Sequence, residues 1–275
     1  MSRPFIEFIQ AQALPWRRRT LPGRPGVAVR ELSTDPDTGA SSLLLRYPAL
    51  WRAGGSGRLA VDEELLVLAG DLTVGAVRHT RFGYAHLPAG YDRGGMSSRG
   101  GAVVLTFFSG DPVPSSRGVD LDPARLVEAA SCFDGPWTGN FHPQFPAGAG
   151  RKFLRQDPVT GEQTWVLGTM PLRSGRRPEK HPVVEEMFLL SGELVGHVGV
   201  MHAGAYFWRP PEEWHGPFGS PTGNLMLFRT IGGPLSTVYT EEEVEFRRNP
   251  AHRPILPPHL GQAGERPWTG APVPF

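Results

Sequence analysis

The sequence contains a single cysteine, Cys132, among its 275 residues. A disulfide framework within the chain and a cysteine-rich zinc site are therefore excluded. The first twenty residues have no continuous apolar segment, because Glu7, Gln10 and Gln12 interrupt it, so we expect no secretory leader. No run approaches the roughly 18 apolar residues that a membrane span requires. These absences predict a cytoplasmic protein with no membrane partner.

Charge of one sign is also lacking. The chain has 28 basic and 27 acidic side chains, which gives a formal net charge of +1. This balance provides no general surplus of positive charge for binding nucleic acid or an anionic membrane. A small-molecule ligand or substrate is the expected partner.

Long amphipathic helical periodicity is nearly absent as well. The 35 glycines and 29 prolines are instead spread between short apolar runs, a pattern typical of an all-β fold. Residues 122–132 form the best helix candidate, with Asp122 as N-cap and Pro123 at the first helical position. Residues 240–248 are a second, shorter candidate.

The chain aligns with itself at one fixed offset. Glu63 to Gly70 matches Glu185 to Gly192, an offset of 185 − 63 = 122 residues, and no gap is needed from about residue 26 to 110. The identities fall on turn residues and on strand faces, which are the positions that a duplicated fold should retain. The sequence therefore predicts two similar antiparallel barrels.

The repeat defines the expected domain organisation, which has four parts. We expect a first barrel at residues 20–115, a linker with one short helix at 116–144, a second barrel at 145–235 and a proline-rich tail at 236–275.

The second repeat carries polar residues at informative spacings. His181 is followed by Glu185 and Gly192, and then Gly204, Pro210 and His215 follow. This pattern resembles the two sequence motifs of the cupin superfamily, and the paired Glu185-Glu186 resembles its ChrR-like group. The resemblance implies tandem cupin barrels (double-stranded β-helix, or jelly-roll). It also implies either a metal-dependent dioxygenase that cleaves carbon–carbon bonds beside carbonyls or a zinc-binding sensor domain.

The spacing also predicts a metal site on chemical grounds. Alternate residues of a strand share a face, so Glu185 should point into the barrel and meet His181 and His215 there. Two imidazoles and a carboxylate with open positions suit one divalent metal, Fe(II) first, with Mn, Ni or Zn as alternatives.

Two positions depart from the family pattern. Glu179 stands where the first histidine is expected, and Glu212 replaces a glycine. Glu179 is either a fourth metal ligand, a catalytic acid or base, or a surface loop residue.

The first repeat has lost the ligand pattern. It keeps Glu63, but Leu59 occupies the position of His181 and Arg93 that of His215. A carboxylate facing an arginine can form an ion pair but cannot hold a divalent metal. The first barrel is thus expected to be a degenerate copy with a structural or dimerisation role, or a metal-free binding pocket.

We interpret the chain as a metal-dependent bicupin enzyme, a mononuclear non-haem oxygenase acting on a small carbonyl or phenolic compound. Two alternatives stay open. One is a non-catalytic sensor that binds a metal or a ligand, although no helical output domain is visible. The other is an O2-independent isomerase, cyclase or lyase, since the same ligands serve both kinds of chemistry.

Exposed sheet edges and apolar barrel faces commonly pair, so we expect a homodimer. Light scattering at micromolar concentration should give twice the mass of the chain. A monomeric mass would contradict this expectation.

Overall fold

Short strands separated by turns occupy most of the chain, and the all-β prediction is confirmed. The structure is a computed structural model that describes residues 3–54, 57–115, 119–139, 142–145 and 147–270. Within these ranges, no helix has the length and apolar character needed to cross a membrane. The chain divides into two compact units, one built on residues 14–134 and the other on residues 5–13 together with the chain from 135 onward.

The first unit is a sheet of ten antiparallel strands in which the longest strand, β6, is central. The main path of the sheet runs β11-β8-β6-β10-β4-β3-β2, and its ends do not join. Its strands are β2 (Arg17–Arg18), β3 (Ala28–Thr34), β4 (Ser41–Tyr47), β5 (Trp51–Ala53), β6 (Glu63–Val74), β7 (Val77–Thr80), β8 (Gly83–Leu87), β9 (Met96–Ser98), β10 (Ala102–Phe108) and β11 (Val127–Ser131).

The second unit is a sheet of nine strands with the same order, centred on β16, and a separate two-stranded ladder of β15 and β21. The main path runs β1-β18-β16-β20-β13-β12. Its strands are β1 (Ile6–Gln10), β12 (Ala149–Gln156), β13 (Gln163–Thr169), β14 (Arg173–Ser174), β15 (Glu179–Lys180), β16 (Val184–Gly196), β17 (Gly199–His202), β18 (Ala205–Arg209), β19 (Gly219–Ser220), β20 (Asn224–Ile231) and β21 (Val238–Tyr239).

The predicted duplication is confirmed in strand order and register. Glu63 lies opposite Leu87 at the start of β6, and Glu185 lies opposite Arg209 at the start of β16. The partner positions differ by 209 − 87 = 122, the offset found in the sequence. The two glutamates therefore occupy the same place in the two units.

A glycine bend interrupts each central strand at the same point. Gly70 and Gly192 have φ of 75° and 76°, in the left-handed region that glycine favours. A Cβ on Gly70 would lie 1.9 Å from the carbonyl oxygen of Gly101, and one on Gly192 would lie 2.0 Å from that of Gly223. Close backbone approach explains why these four glycines recur at the 122-residue offset.

The strand that precedes each repeat in the sequence pairs in the unit formed by the other repeat. β1 pairs with β18 in the second unit, where Ile6 faces Trp208, and β11 pairs with β8 in the first unit, where Val127 faces His86. β8 and β18 are equivalent, so β1 and β11 are equivalent as well. β1 precedes the first repeat yet lies in the second unit, whereas β11 precedes the second repeat and lies in the first. The sequence repeat, aligned from about residue 26, did not reveal this exchange.

The predicted helix at residues 122–132 is wrong beyond its first turn. The Asp122 side chain does accept a hydrogen bond from the Ala124 N–H, but only a 3₁₀ turn, Pro123–Arg125, follows. The chain then extends into β11, because pairing with the open edge of β8 satisfies its backbone groups and outweighs a weak helix propensity. Residues 240–248 are also not helical. The one α-helix of the described residues, α1 (Gly261–Gly264), lies in the tail.

Each unit has its own apolar core. The core of the first unit includes Leu45, Leu65, Val67, Val104 and Phe108. That of the second includes Phe8, Met187, Leu189, Phe207 and Phe228, so the exchanged strand β1 contributes a core side chain.

Replacing Ile6 with Ala should destabilise the second unit by about 2–5 kcal/mol, because this side chain is fully buried on β1. Hydrogen–deuterium exchange measured strand by strand should show faster exchange in β18 and unchanged exchange in β8. Ile255→Ala is the matched control, since Ile255 is 57% exposed and its loss should cost less than about 0.5 kcal/mol. Faster exchange in β8 instead of β18 would contradict the exchange of strands.

Candidate metal centre

Backbone hydrogen bonds bring the predicted site residues of the second unit together. The N–H of Glu179 donates to the carbonyl of His215, and the N–H of His215 donates to that of Glu179, both at 2.9 Å. His181 follows β15 directly, and Glu185 is the second residue of β16. Glu179 and His181 near β15, Glu185 on β16 and His215 before β19 are thus held at one end of the central strand β16.

The position of the missing family glycine is also fixed by the backbone. Glu212 has φ of 66°, and its N–H donates to the carbonyl of His181 at 2.8 Å. Glycine favours this conformation, which a glutamate adopts at a cost of about 1 kcal/mol or more. The turn geometry therefore persists although the glycine has gone, and the Lys180 ammonium forms an ion pair with the Glu212 carboxylate.

Both imidazoles are oriented through their Nδ1 atoms. His181 Nδ1 lies 2.9 Å from the carbonyl oxygen of Ser236, and His215 Nδ1 lies 2.9 Å from that of Glu213. A carbonyl can only accept, so each Nδ1 carries a proton, and the neutral form of each imidazole has its lone pair on Nε2. Burial lowers the pKa of His215 well below its usual range, and the positive charge of Arg209 adds to this effect. His215 is therefore neutral and able to act as a ligand.

The Nε2 atoms are buried and have no hydrogen-bond partner in the described part of the chain. Each lies 3.5 Å from an oxygen of Glu185, and that of His215 lies 4.0 Å from Glu179 Oε1. Ligand atoms of Glu179, His181 and His215 all lie within 4.8 Å of one another. These three residues form a possible His/Glu metal site, in which small side-chain movements would bring the donors to the separation of roughly 3–3.5 Å that one shared ion requires.

Arg209 is a member of this site that the sequence analysis missed. Its Nη1 donates to Glu185 Oε2 at 3.1 Å, and its guanidinium stacks 3.6 Å from the ring centroid of Phe207. Arg209 aligns with Leu87 of the first repeat, so neither the family motif nor the repeat marks it. Glu185 is consequently shared between a guanidinium and the two histidines.

Tyr239 is a second residue that was missed, because it lies in the tail after the repeat ends. It is opposite Glu179 in the ladder of β15 and β21, and its side chain hydrogen-bonds the Glu179 carboxylate. Burial raises the pKa of Glu179, and the hydrogen bond from Tyr239 and the positive charge of Arg209 offset part of this rise. Burial and the Glu179 charge raise the pKa of Tyr239, which stays a neutral donor.

A cavity of about 60 Å³ opens beside the cluster. Its walls are largely apolar and also carry charged groups. The apolar lining comes from Phe145, Leu167, Leu194, Phe207, Phe218, Met226 and Phe228, and the polar lining from Arg173, Arg177, Glu179, Glu185, Arg209 and Tyr239. The aromatic residues near the motif in sequence, Phe188, Tyr206, Trp208 and Trp214, do not line it among the described residues.

The equivalent position of the first unit holds an ion-pair network, as the sequence predicts. Glu63 Oε2 accepts from Arg93 Nε at 2.8 Å, and Glu63 Oε1 accepts from Arg24. The prediction named Arg93 but not Arg24, which precedes the aligned part of the repeat. Both arginines and Glu63 are almost completely buried.

These features define a pair of cupin folds, one with a possible metal site. Residues 137–233 match the family described as the ChrR cupin-like domain. The second unit is therefore similar to ChrR-like cupins, and the family resemblance inferred from its motifs is confirmed. No protein of curated function matches the sequence significantly.

Solved structures share the fold over most of the chain. A candidate dioxygenase from Nostoc punctiforme superposes with a TM-score of 0.77 at 20% identity, covering 88% of this chain and 92% of its own. A variant of oxalate decarboxylase from Bacillus subtilis gives 0.58 at 10% identity, with 84% and 78% covered. The oxalate decarboxylase of Lactobacillus farciminis, in complex with formate, gives 0.58 at 12%, with 84% and 88% covered. At sequence identities of 20% or lower, this similarity shows a shared fold and not a shared activity.

Proposed function

We propose that the second unit is a mononuclear metal-dependent oxygenase that acts on a small carbonyl or phenolic compound. The observation that carries this proposal is the pair of buried Nε2 lone pairs of His181 and His215, which have no hydrogen-bond partner in the described residues and face the Glu185 carboxylate. Leaving two such atoms unsatisfied costs free energy, and a metal ion would remove that cost.

The donor set favours Fe(II) as the metal. His181 and His215 would supply neutral imidazoles, and Glu179 and Glu185 would supply carboxylate oxygens. Such a mixed nitrogen and oxygen set is typical of Fe(II) and Mn sites, and Ni or Zn also fit it. The second carboxylate makes the site more anionic and disfavours Cu.

When bound, Fe(II) would supply open positions and Lewis acidity for O2 and substrate oxygens. The residues of the chain have separate tasks. The carbonyls of Ser236 and Glu213 hold the imidazoles in one tautomer. Arg209 holds Glu185 in place and presents positive charge to the cavity. Tyr239 holds the Glu179 carboxyl, which can give or take a proton at the cavity wall.

The cavity supports a small, partly apolar substrate that carries oxygen atoms. Its volume of about 60 Å³ has room for several water molecules or one small organic molecule. Phenylalanine side chains would exclude water from the apolar part, whereas Arg173 and Arg209 would favour an enolate or phenolate oxygen. The fold shared with the Nostoc punctiforme candidate dioxygenase supports oxygenase chemistry but does not bear on the substrate.

The activity can be tested by loading the purified chain with Fe(II) anaerobically and measuring O2 uptake with β-diketones, hydroxylated acetophenones and catechols. We expect stoichiometric O2 consumption with at least one of these classes. Turnover without O2 uptake would favour the isomerase, cyclase or lyase alternative. Tight metal binding without turnover of any class would favour a sensor.

Replacing His215 with Ala should abolish stoichiometric metal binding, because it removes one of two imidazole donors. We expect metal content measured by elemental analysis to fall from about one ion per chain to near zero. His202→Ala is the matched control, since His202 lies on β17 of the same unit and pairs with Glu193 outside the cluster. Unchanged metal content in the His215 variant would contradict the assignment.

Glu179→Gln should weaken metal binding by more than about 100-fold, the upper end of what losing an outer-shell partner costs. This expectation follows from the proximity of Glu179 to both imidazoles. Glu212→Gln is the matched control, because the change keeps the backbone and the Glu212 side chain is exposed and contacts Lys180 rather than the cluster. If the variant retains its metal but loses turnover, Glu179 is a catalytic acid or base. If it retains both metal and turnover, Glu179 has no role in metal binding or catalysis.

A further inference from the structure

The charges of the buried network of Arg24, Glu63 and Arg93 in the first unit do not balance. Arg24 and Arg93 carry two positive charges, and Glu63 carries one negative charge, so the network holds a net charge of +1. At the rim, Arg58 and Asp92 pair with each other at 3.7 Å and do not change this total. A buried net charge is costly unless a counter-ion accompanies it.

One guanidinium group of this network has an unused donor. Arg93 Nε donates to Glu63, and Nη1 donates to the carbonyls of Gly57 and Tyr91 at 3.0 and 3.1 Å. Arg93 Nη2 is buried and has no hydrogen-bond partner within the described ranges. Arg24, by contrast, uses all three of its nitrogens, on Tyr47, Pro22 and Glu63. The excess charge is therefore accompanied by a donor that lacks an acceptor.

A cavity of about 100 Å³ lies against both arginines. Leu59, Met96 and Pro114 contribute apolar wall beside the guanidinium groups. This combination of positive charge, an unused N–H donor and an apolar wall suits a carboxylate with a short hydrocarbon tail better than a bare inorganic anion.

We propose that the first unit is a binding site for a small monocarboxylate, which Arg93 recognises where the second unit has His215. The ligand carboxylate accepts from Arg93 Nη2, compensates the excess charge, and places its tail against Leu59 and Met96. The first unit is then a ligand-binding module that works without a metal.

Calorimetric titration at low ionic strength, with acetate, propionate and butyrate as probes, tests this assignment. The chain should bind propionate or butyrate saturably and more tightly than chloride or phosphate. The amide NMR resonances of Gly57 and Gly94, beside Arg93, should shift in the same titration and locate the site in the first unit. Absence of saturable binding, shifts confined to the second unit, or equal binding of chloride or phosphate would overturn the proposal.

Arg93→Met should weaken carboxylate binding by at least about tenfold, since charge-assisted hydrogen bonds are roughly twice as strong as neutral ones. The variant leaves a balanced pair of Arg24 and Glu63. Arg78→Met is the matched control, because Arg78 is an exposed arginine of the same unit that pairs with Asp71 outside the cavity. Arg93→Lys keeps the buried charge if the methionine variant does not fold, and it should also bind more weakly. Undiminished binding in a folded Arg93 variant would overturn the proposal.

Discussion

In each unit a carboxylate is buried at the start of the central strand, and a positively charged side chain must lie beside it to compensate its charge. Glu63 and Glu185 occupy equivalent positions, and an isolated ionised carboxylate there would cost many kcal/mol. The first unit meets this requirement with two arginines. The second meets it with Arg209 and places two imidazoles within 3.5 Å of the carboxylate. The residues around this carboxylate, two arginines in the first unit and one arginine with two histidines in the second, account for the different chemistry expected of the two units.

The part of the site that could be predicted from sequence is the part tied to the repeat. The 122-residue offset fixed the register of Glu63 and Glu185, and it placed Arg93 where His215 lies. The ion pair between Glu63 and Arg93 followed from that alignment and is present at 2.8 Å. The alternation of side chains along a strand then sufficed to direct Glu185 toward the histidines.

The residues that sequence reasoning missed reach the site from outside the motifs. Arg24 precedes the aligned repeat and Tyr239 follows it, while Arg209 has only Leu87 as its counterpart. Long side chains can approach a carboxylate from an adjacent strand, and only the strand register shows which of them does so. The error at residues 122–132 has a related origin. Local capping signals were read correctly at Asp122, but the unpaired edge of β8 decided the conformation beyond it.

The exchanged strand β1 also contributes a buried charge, that of Glu7, to the second unit. Glu7 on β1 is buried, lies 3.1 Å from His197 Nε2, and accepts a hydrogen bond from the Ile255 N–H at 3.0 Å. Its negative charge acts on Arg209 in addition to that of Glu185. A segment from the beginning of the chain thus stabilises the guanidinium that orients the candidate metal ligand.

The position of β1 has a consequence for synthesis of the chain. Its side chains Ile6, Phe8 and Ile9 are buried, Phe8 in the core of the second unit, and its backbone pairs with β18, residues 205–209. A ribosome adding about 5–20 residues per second needs roughly 10–40 s to make the intervening chain. During that time an apolar strand has emerged without its partner edge. The first unit can form all its strands once β11 has been made, whereas β1 of the second unit stays unpaired until β18 has been made.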